Sequence, residues 1–401
     1  MMFLQQVFNL SAIIKKPLCW LIFRVVVVTS CCSVLHVNSS EIQVGAEQAE
    51  HYLPLIEGKR VGLVVNQTSR VKSQHLVDYL LAKKVNVAMI FAPEHGFRGD
   101  HDAGEKVSSG VDKATGVKVF SIYGKHKKPS AELLKQVDIL LFDIQDVGVR
   151  FYTYISSMHY MMEAAGENNV PFIVLDRPNP NGAYVDGPML EIAFQSFVGM
   201  HQIPLLHGMT VGEIALMING EGWIEKKTAL TVIPLKHYQR NKAYSLPVKP
   251  SPNLPNDVSI AHYASLGFFE ATPVSIGRGT DFPFQVIGFN KFSLGGFSFK
   301  PRSIKGAASS PKLEGKNLIG QDLRNVTTTG LDLSYLIAWY QLFKEHNETF
   351  FTRSAFMDKL AGTDQLRKQI QAGLSEQKIR DSWQKDLIRF KKQRQPYLLY
   401  R

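Results

Sequence analysis

What most constrains this chain is an alternation of two textures between residues 61 and 177. Short apolar runs at 61–65, 87–92, 117–123, 139–144 and 172–175 have the length and composition of buried strands. Amphipathic stretches at 74–84, 131–136 and 153–168 lie between them. Strand–helix–strand alternation of this kind predicts βαβ units and an α/β fold, a parallel sheet with helices on both faces. Thr210-Val211-Gly212-Glu213 has the form of a capping box and predicts a further helix, to about Asn219. After Gly222 the texture changes. Residues 247–283 are rich in Pro, Asn and Gly and predict a long ordered loop, with helices following at 331–344 and 353–359. The expected organisation is a leader over 1–40, a parallel-sheet catalytic domain over 41–222 and a smaller α+β domain over 223–401.

Composition supports this division: 401 residues, 45% hydrophobic and 20% charged, give enough chain for two packed domains and a leader. The three cysteines are Cys19, Cys31 and Cys32, so residues 33–401 can hold no internal disulfide, thiol nucleophile or cysteine zinc site. Lys15 and Lys16, followed by an apolar run at 18–28 that Arg24 interrupts, read as an export signal. Val28-Thr29-Ser30-Cys31 resembles a bacterial lipoprotein processing site, which would make Cys31 the lipidated first residue and attach the protein to a membrane. No later segment has the ~18 uninterrupted apolar residues of a spanning helix. The net charge is +11, three of which sit in the leader. Basic residues concentrate at 385–401, where a solvated helix face is the ordinary reading. No nucleic-acid module accompanies them, so no nucleic-acid partner is expected.

In open parallel sheets, ligands bind beyond the carboxyl ends of the strands. Five such ends here carry polar residues: Asn66-Gln67-Thr68, the PEHGFRG segment at 93–99, Gly124-Lys125-His126, the stretch from Asp143 to Tyr154, and Asp176 to Gly182. Their convergence on one rim predicts an active site. A dinucleotide fingerprint, a Walker loop and a G-x-S-x-G elbow are all missing, and no cofactor is expected. Ser69 and Lys72 fit S-x-x-K, the pattern of serine acyl-transfer enzymes, but its partner motifs are absent. His95, His101, Asp102 and Glu105 lack tight metal-ligand spacing, so no metal is expected.

Carboxylates remain, and glycosidic bond cleavage uses them in pairs, one as a protonated acid. Glu94 ends an apolar strand and precedes two glycines, which makes it the first candidate. Asp143 and Glu105 are the others, while Asp146 and Asp176 suit ion pairs with Arg150 or Arg177. Phe151-Tyr152-Thr153-Tyr154 could pack in the core or stack on a sugar ring.

At these residues the chain resembles a family, the NamZ-like exo-β-N-acetylmuramidases. The matching stretches are GLVVNQTS (62–69), FAPEHGFRG (91–99), DILLFDIQDVGVRFYTYISSM (138–158), VLDRPNPNGAYVDGPML (174–190), FVGMHQIPLLHGMTVGEIALMING (197–220), PSPNLPN (250–256) and SIGRGTDFPFQVIG (275–288). The resemblance implies a Rossmann-like domain joined to a smaller one with the site in the cleft between them. It also implies release of non-reducing terminal N-acetylmuramic acid from peptidoglycan fragments, with Glu94 as the family's glutamate. That sugar carries a lactyl carboxylate, which Arg98, Arg150 and Arg278 could bind, Arg150 being the first choice. Asn66, His95, Tyr152, Tyr154 and Asn253 complete the expected substrate-binding set. Two other functions fit the sequence: a non-catalytic envelope protein that binds muropeptides, and the serine enzyme built on Ser69 and Lys72.

Overall fold

Each of the five apolar runs forms a strand in the computed structural model, which describes residues 41–98 and 109–401. The leader with Cys31, and the segment holding His101, Asp102 and Glu105, lie outside the described residues. The strands are Val61–Val65, Val87–Ala92, Lys118–Ser121, Ile139–Asp143 and Phe172–Leu175. A sixth parallel strand, Leu230–Ile233, joins the edge beside Phe172–Leu175, and Gly110–Val111 caps the other edge antiparallel. Numbered along the chain, the six parallel strands lie in the order 3-2-1-4-5-6, a doubly wound Rossmann arrangement. Its switch point falls between Val61–Val65 and Ile139–Asp143. The sheet thus takes its last strand from beyond residue 222, where the sequence pattern had marked a domain boundary.

The strands are buried on both faces because alternate side chains feed two separate cores. Val64, Phe91, Phe142 and Phe172 pack with the helices Tyr154–Glu167 and Val211–Gly220. Leu63, Ile90, Leu141 and Ile173 pack with Ala49–Ile56 and Leu76–Ala82. The capping box forms as its residues predict: Thr210 Oγ1 accepts from the Glu213 amide and the Glu213 carboxylate accepts from the Thr210 amide.

The smaller C-terminal part has a three-stranded antiparallel sheet, with Leu318–Asp322 between Val286–Phe289 and Phe297–Phe299. The helix Ser334–Glu345 meets this sheet through Trp339 and Phe343, while Ser354–Ala361, Gln365–Gln371 and Glu376–Gln393 pack on one another, on the Asp186–Met189 strand and on residues 267–271. The last of these helices carries part of the basic tail; it buries Ile379, Trp383, Leu387 and Phe390, a stripe at helical spacing, and leaves its charges outside.

One expectation is corrected. Residues 247–283 are not an unbroken loop, because Asp257–Leu266 is α-helical and runs into a short 3-10 helix, Gly267–Ala271. Asn256 caps the helix by accepting from the Ser259 amide at 3.0 Å. Small polar residues (Ser259, His262, Ser265) are buried alongside Ile260 and Leu266, so no clean apolar stripe announces the helix. Among the described residues, no helix is long and apolar enough to cross a membrane.

Candidate active site

Sheet register places the central carboxylate. Ala92 lies opposite Ser121 in the parallel pair, so Glu94 and Tyr123, each two residues further on, leave the sheet side by side. His95 (φ 68) and Gly96 (φ 75) turn the backbone through the left-handed region straight after Glu94. That conformation is rare for a residue with a side chain, and strain of this kind clusters at functional sites. The Tyr123 hydroxyl donates to Glu94 Oε1 at 2.9 Å and Thr153 Oγ1 donates to Oε2 at 3.0 Å. Thr153 is the N-cap residue of Tyr154–Glu167, so the fourth strand's connection supplies the second donor. Tyr154 Oη reaches the Glu94 carbonyl at 3.4 Å. Burial, reinforced by the Glu94 charge, pushes the Tyr123 phenol well above its ordinary range, so it stays a donor.

Glu94 faces a cavity of about 970 Å³ lined by both parts of the protein. One wall is aromatic: Tyr152 meets Tyr154 at 4.9 Å and Tyr263 at 5.7 Å between ring centres, and Phe197 lies 6.1 Å from Tyr123. Such faces suit the apolar sides of a sugar ring. Charged side chains line the same cavity, with Arg278 lying over Phe284 at 5.0 Å. Arg278 Nε donates to Glu270 Oε1 at 2.6 Å, and Lys312 Nζ stands 3.9 Å from Glu270 Oε2. Burial alone would raise the Glu270 carboxyl, but Arg278 and Lys312 outweigh it and hold it below the usual carboxylate range. Gly279, at φ +80, lets Pro311 pack against the backbone, where a Cβ would meet the proline ring at 2.6 Å. Asn253 Nδ2 donates to the Ala307 carbonyl at 2.7 Å, and together these contacts hold the 307–312 wall.

Of the expected site residues, Glu94, His95, Tyr152, Tyr154, Asn253 and Arg278 line this cavity. Four others do not. Arg150 is fully buried, and its guanidinium donates to the carbonyls of Pro188 (2.8 Å), Ile203 (2.7 Å), Leu360 (3.2 Å) and Ala361 (2.6 Å). It ties the Asp186–Met189/Pro204–Leu206 hairpin to the end of Ser354–Ala361 and does not line the cavity. Asp143 is also fully buried, in a bidentate pair with Arg177 at 2.5 and 2.9 Å. Arg98 pairs with Asp112 at 2.8 Å, lies over Phe97 and borders a separate, smaller hollow. The Asn66 side chain folds back to accept from the Thr68 amide and hydroxyl. Charged residue type and strand-end position did not separate these bracing groups from the site.

The S-x-x-K pair has no catalytic geometry either. Ser69 is buried, accepts from the Asn66 amide and donates to the Asp143 carbonyl, whereas Lys72 is exposed. Tyr123, Thr153, Tyr263, Glu270, Lys312 and Arg353 line the cavity without having been singled out in the sequence. For Tyr123 and Thr153 a signal existed, since each sits just past a strand or opens a helix. For Lys312 and Arg353, only the fold brings them near.

Held between two hydroxyl donors, in a cavity lined by aromatic rings and cations, Glu94 marks the cleft of a sugar-cleaving hydrolase on an α/β scaffold. Comparison with known proteins makes the assignment specific. The N-terminal model of the exo-beta-N-acetylmuramidase NamZ family matches residues 61–258 and its C-terminal model matches 261–400; the chain belongs to that family. It is 42% identical over 371 residues to the peptidoglycan beta-N-acetylmuramidase NamZ of Bacillus subtilis (strain 168), spanning 87% of this chain and 89% of the relative. Two crystal structures of DUF1343 family proteins from Bacteroides fragilis NCTC 9343 share the fold. One superposes with TM-score 0.83 at 44% identity, the other with 0.78 at 32%, each covering 90% of this chain and 99% of its counterpart.

Proposed function

We propose that this protein is an exo-acting glycoside hydrolase that releases N-acetylmuramic acid from the non-reducing end of peptidoglycan fragments, with Glu94 as its catalytic acid. The observation that carries the reading is the Glu94 carboxyl, oriented by Tyr123 and Thr153 toward a cavity large enough for a saccharide. Glu94 protonates the departing glycosidic oxygen as the bond to the anomeric carbon breaks, and water completes the hydrolysis. Tyr152, Tyr154, Tyr263, Arg278 and Asn253 line the space that takes the sugar. Digestion of purified muropeptides with the full-length protein, followed by mass spectrometry, tests this. Free N-acetylmuramic acid is the expected product; fragments cut only at internal bonds would contradict exo action.

The protein is exported through the 1–40 leader and anchored outside the cytoplasm by a lipid on Cys31. The basic, apolar and small-residue order of the leader supports this reading. Metabolic labelling with a fatty acid should mark the wild type and leave Cys31→Ala unlabelled.

A further inference from the structure

The charged wall of the cavity holds more positive charge than the protein neutralises. Glu270 is already bound by Arg278 Nε at 2.6 Å, with Lys312 Nζ at 3.9 Å. Lys312 Nζ also donates to the Phe269 carbonyl at 2.7 Å, which fixes the amine at the wall. Arg353 stands next to them, because its amide donates to the carbonyl of Ala271, the residue after Glu270, at 3.1 Å. Its guanidinium lies over Phe356 at 4.4 Å and has no ion-pair partner among the described residues. Burial, with the Arg278 and Arg353 charges, pulls the Lys312 amine down to about 8 even with Glu270 beside it. Three cations therefore share two carboxylates among the described residues, Glu270 beside them and Glu94 across the cavity lining, and a further anion would balance the remaining charge.

N-acetylmuramic acid brings that anion. It shares its ring and acetamido group with N-acetylglucosamine and differs by the lactyl ether on the 3-oxygen, which ends in a carboxylate. We infer that Lys312 and Arg353 form a carboxylate subsite that holds the lactyl group and sets the preference for muramic over glucosamine glycosides. The inference rests on the hydrolase reading above. Arg278 is engaged by Glu270 and keeps the wall in place, while Lys312 and Arg353 offer the remaining donors. Arg353 is exposed and Lys312 half-buried, so melting temperatures of the variants are measured beside their kinetics.

The test compares chromogenic glycosides of N-acetylmuramic acid, of its lactyl methyl ester and of N-acetylglucosamine. Each is assayed with full-length wild type, Lys312→Met, Arg353→Met and the double variant. Each single variant should lower kcat/KM on the muramic glycoside about tenfold, mainly through KM, and the double about a hundredfold, as expected for lost charge-assisted hydrogen bonds. Rates on the methyl ester and on the glucosamine glycoside should stay at their wild-type values. Equal losses on all three substrates, or no loss in the double variant, would overturn the subsite. If wild type cleaves the muramic glycoside and the double variant matches it, the subsite alone falls. If wild type fails to cleave it, the hydrolase reading falls as well.

Discussion

Tyr123 donates its hydroxyl to Glu94 Oε1 at 2.9 Å, and the two residues stand two positions beyond the register pair Ala92–Ser121. The parallel ladder therefore sets the distance between the carboxyl and its donor, with little left to loop conformation. A rigid element that fixes a catalytic group and its orienting partner together holds the geometry more closely than a loop would.

Removing only that donor should slow turnover without unfolding the site. Tyr123→Phe keeps the ring against Phe197 and is expected to lower kcat about ten- to a hundredfold with KM little changed, the range for losing one hydrogen bond to a charged group. Steady-state kinetics on a muramic glycoside checks this; wild-type kcat would show that Tyr123 does not orient Glu94.

Arg150 makes the opposite prediction from the one its sequence position invites. It donates to four backbone carbonyls from a fully buried position, and burial pulls its pKa down to about 9. Arg150→Met strips these buried carbonyls of a charged donor, the Ile203 carbonyl keeping only the Leu190 amide at 3.2 Å, and each one left without a partner costs about 1–3 kcal/mol, so the variant should melt far below wild type or fail to accumulate. A variant that melts like wild type but loses muramic selectivity would return Arg150 to the substrate.

Asp146 ties stability to pH. It is buried, its Oδ2 accepts from the Gly148 amide at 2.6 Å, and its Oδ1 has no hydrogen-bond partner. Burial raises its carboxyl from an ordinary 3.8 to about 7. Between those values the native state holds a proton the unfolded chain has released, so the contribution is full below the lower value and is lost as pH rises through the upper one. Wild type should therefore lose up to about 1.4 kcal/mol per pH unit across that window relative to Asp146→Asn. Denaturation midpoints of both proteins at pH 5 and pH 8 measure it; a gap that stays constant, or reverses, contradicts the assignment.

The parallel sheet was legible because its strands are buried on both faces and so read as unbroken apolar runs. Glu94 and His95 were legible because they follow such a run directly, and the Tyr152/Tyr154 pair because it lies in the polar stretch beyond Asp143. The roles of Arg150 and Asp143 were not. A strand-end arginine that braces carbonyls and one that binds a ligand look alike until their partners are known, and the partners here are as distant as Leu360 and Ala361. The helix at Asp257–Leu266 was hidden by its proline-rich approach and its buried serines. Lys312 and Arg353 lie 34 and 75 positions from Arg278 along the chain, and only tertiary packing around Glu270 unites them.

The proposed role of Glu94, the acid of a muramic-specific hydrolase, is open to direct kinetic test. The most direct measurement is kcat/KM for a chromogenic N-acetylmuramic acid glycoside with full-length wild type and Glu94→Gln, alongside their melting temperatures. Gln keeps the size and the acceptor oxygen but cannot donate an acidic proton. Glu94→Gln should melt like wild type and lose about 10²–10⁴-fold in rate, the usual contribution of general acid catalysis. Wild-type turnover by a folded Glu94→Gln protein would contradict it.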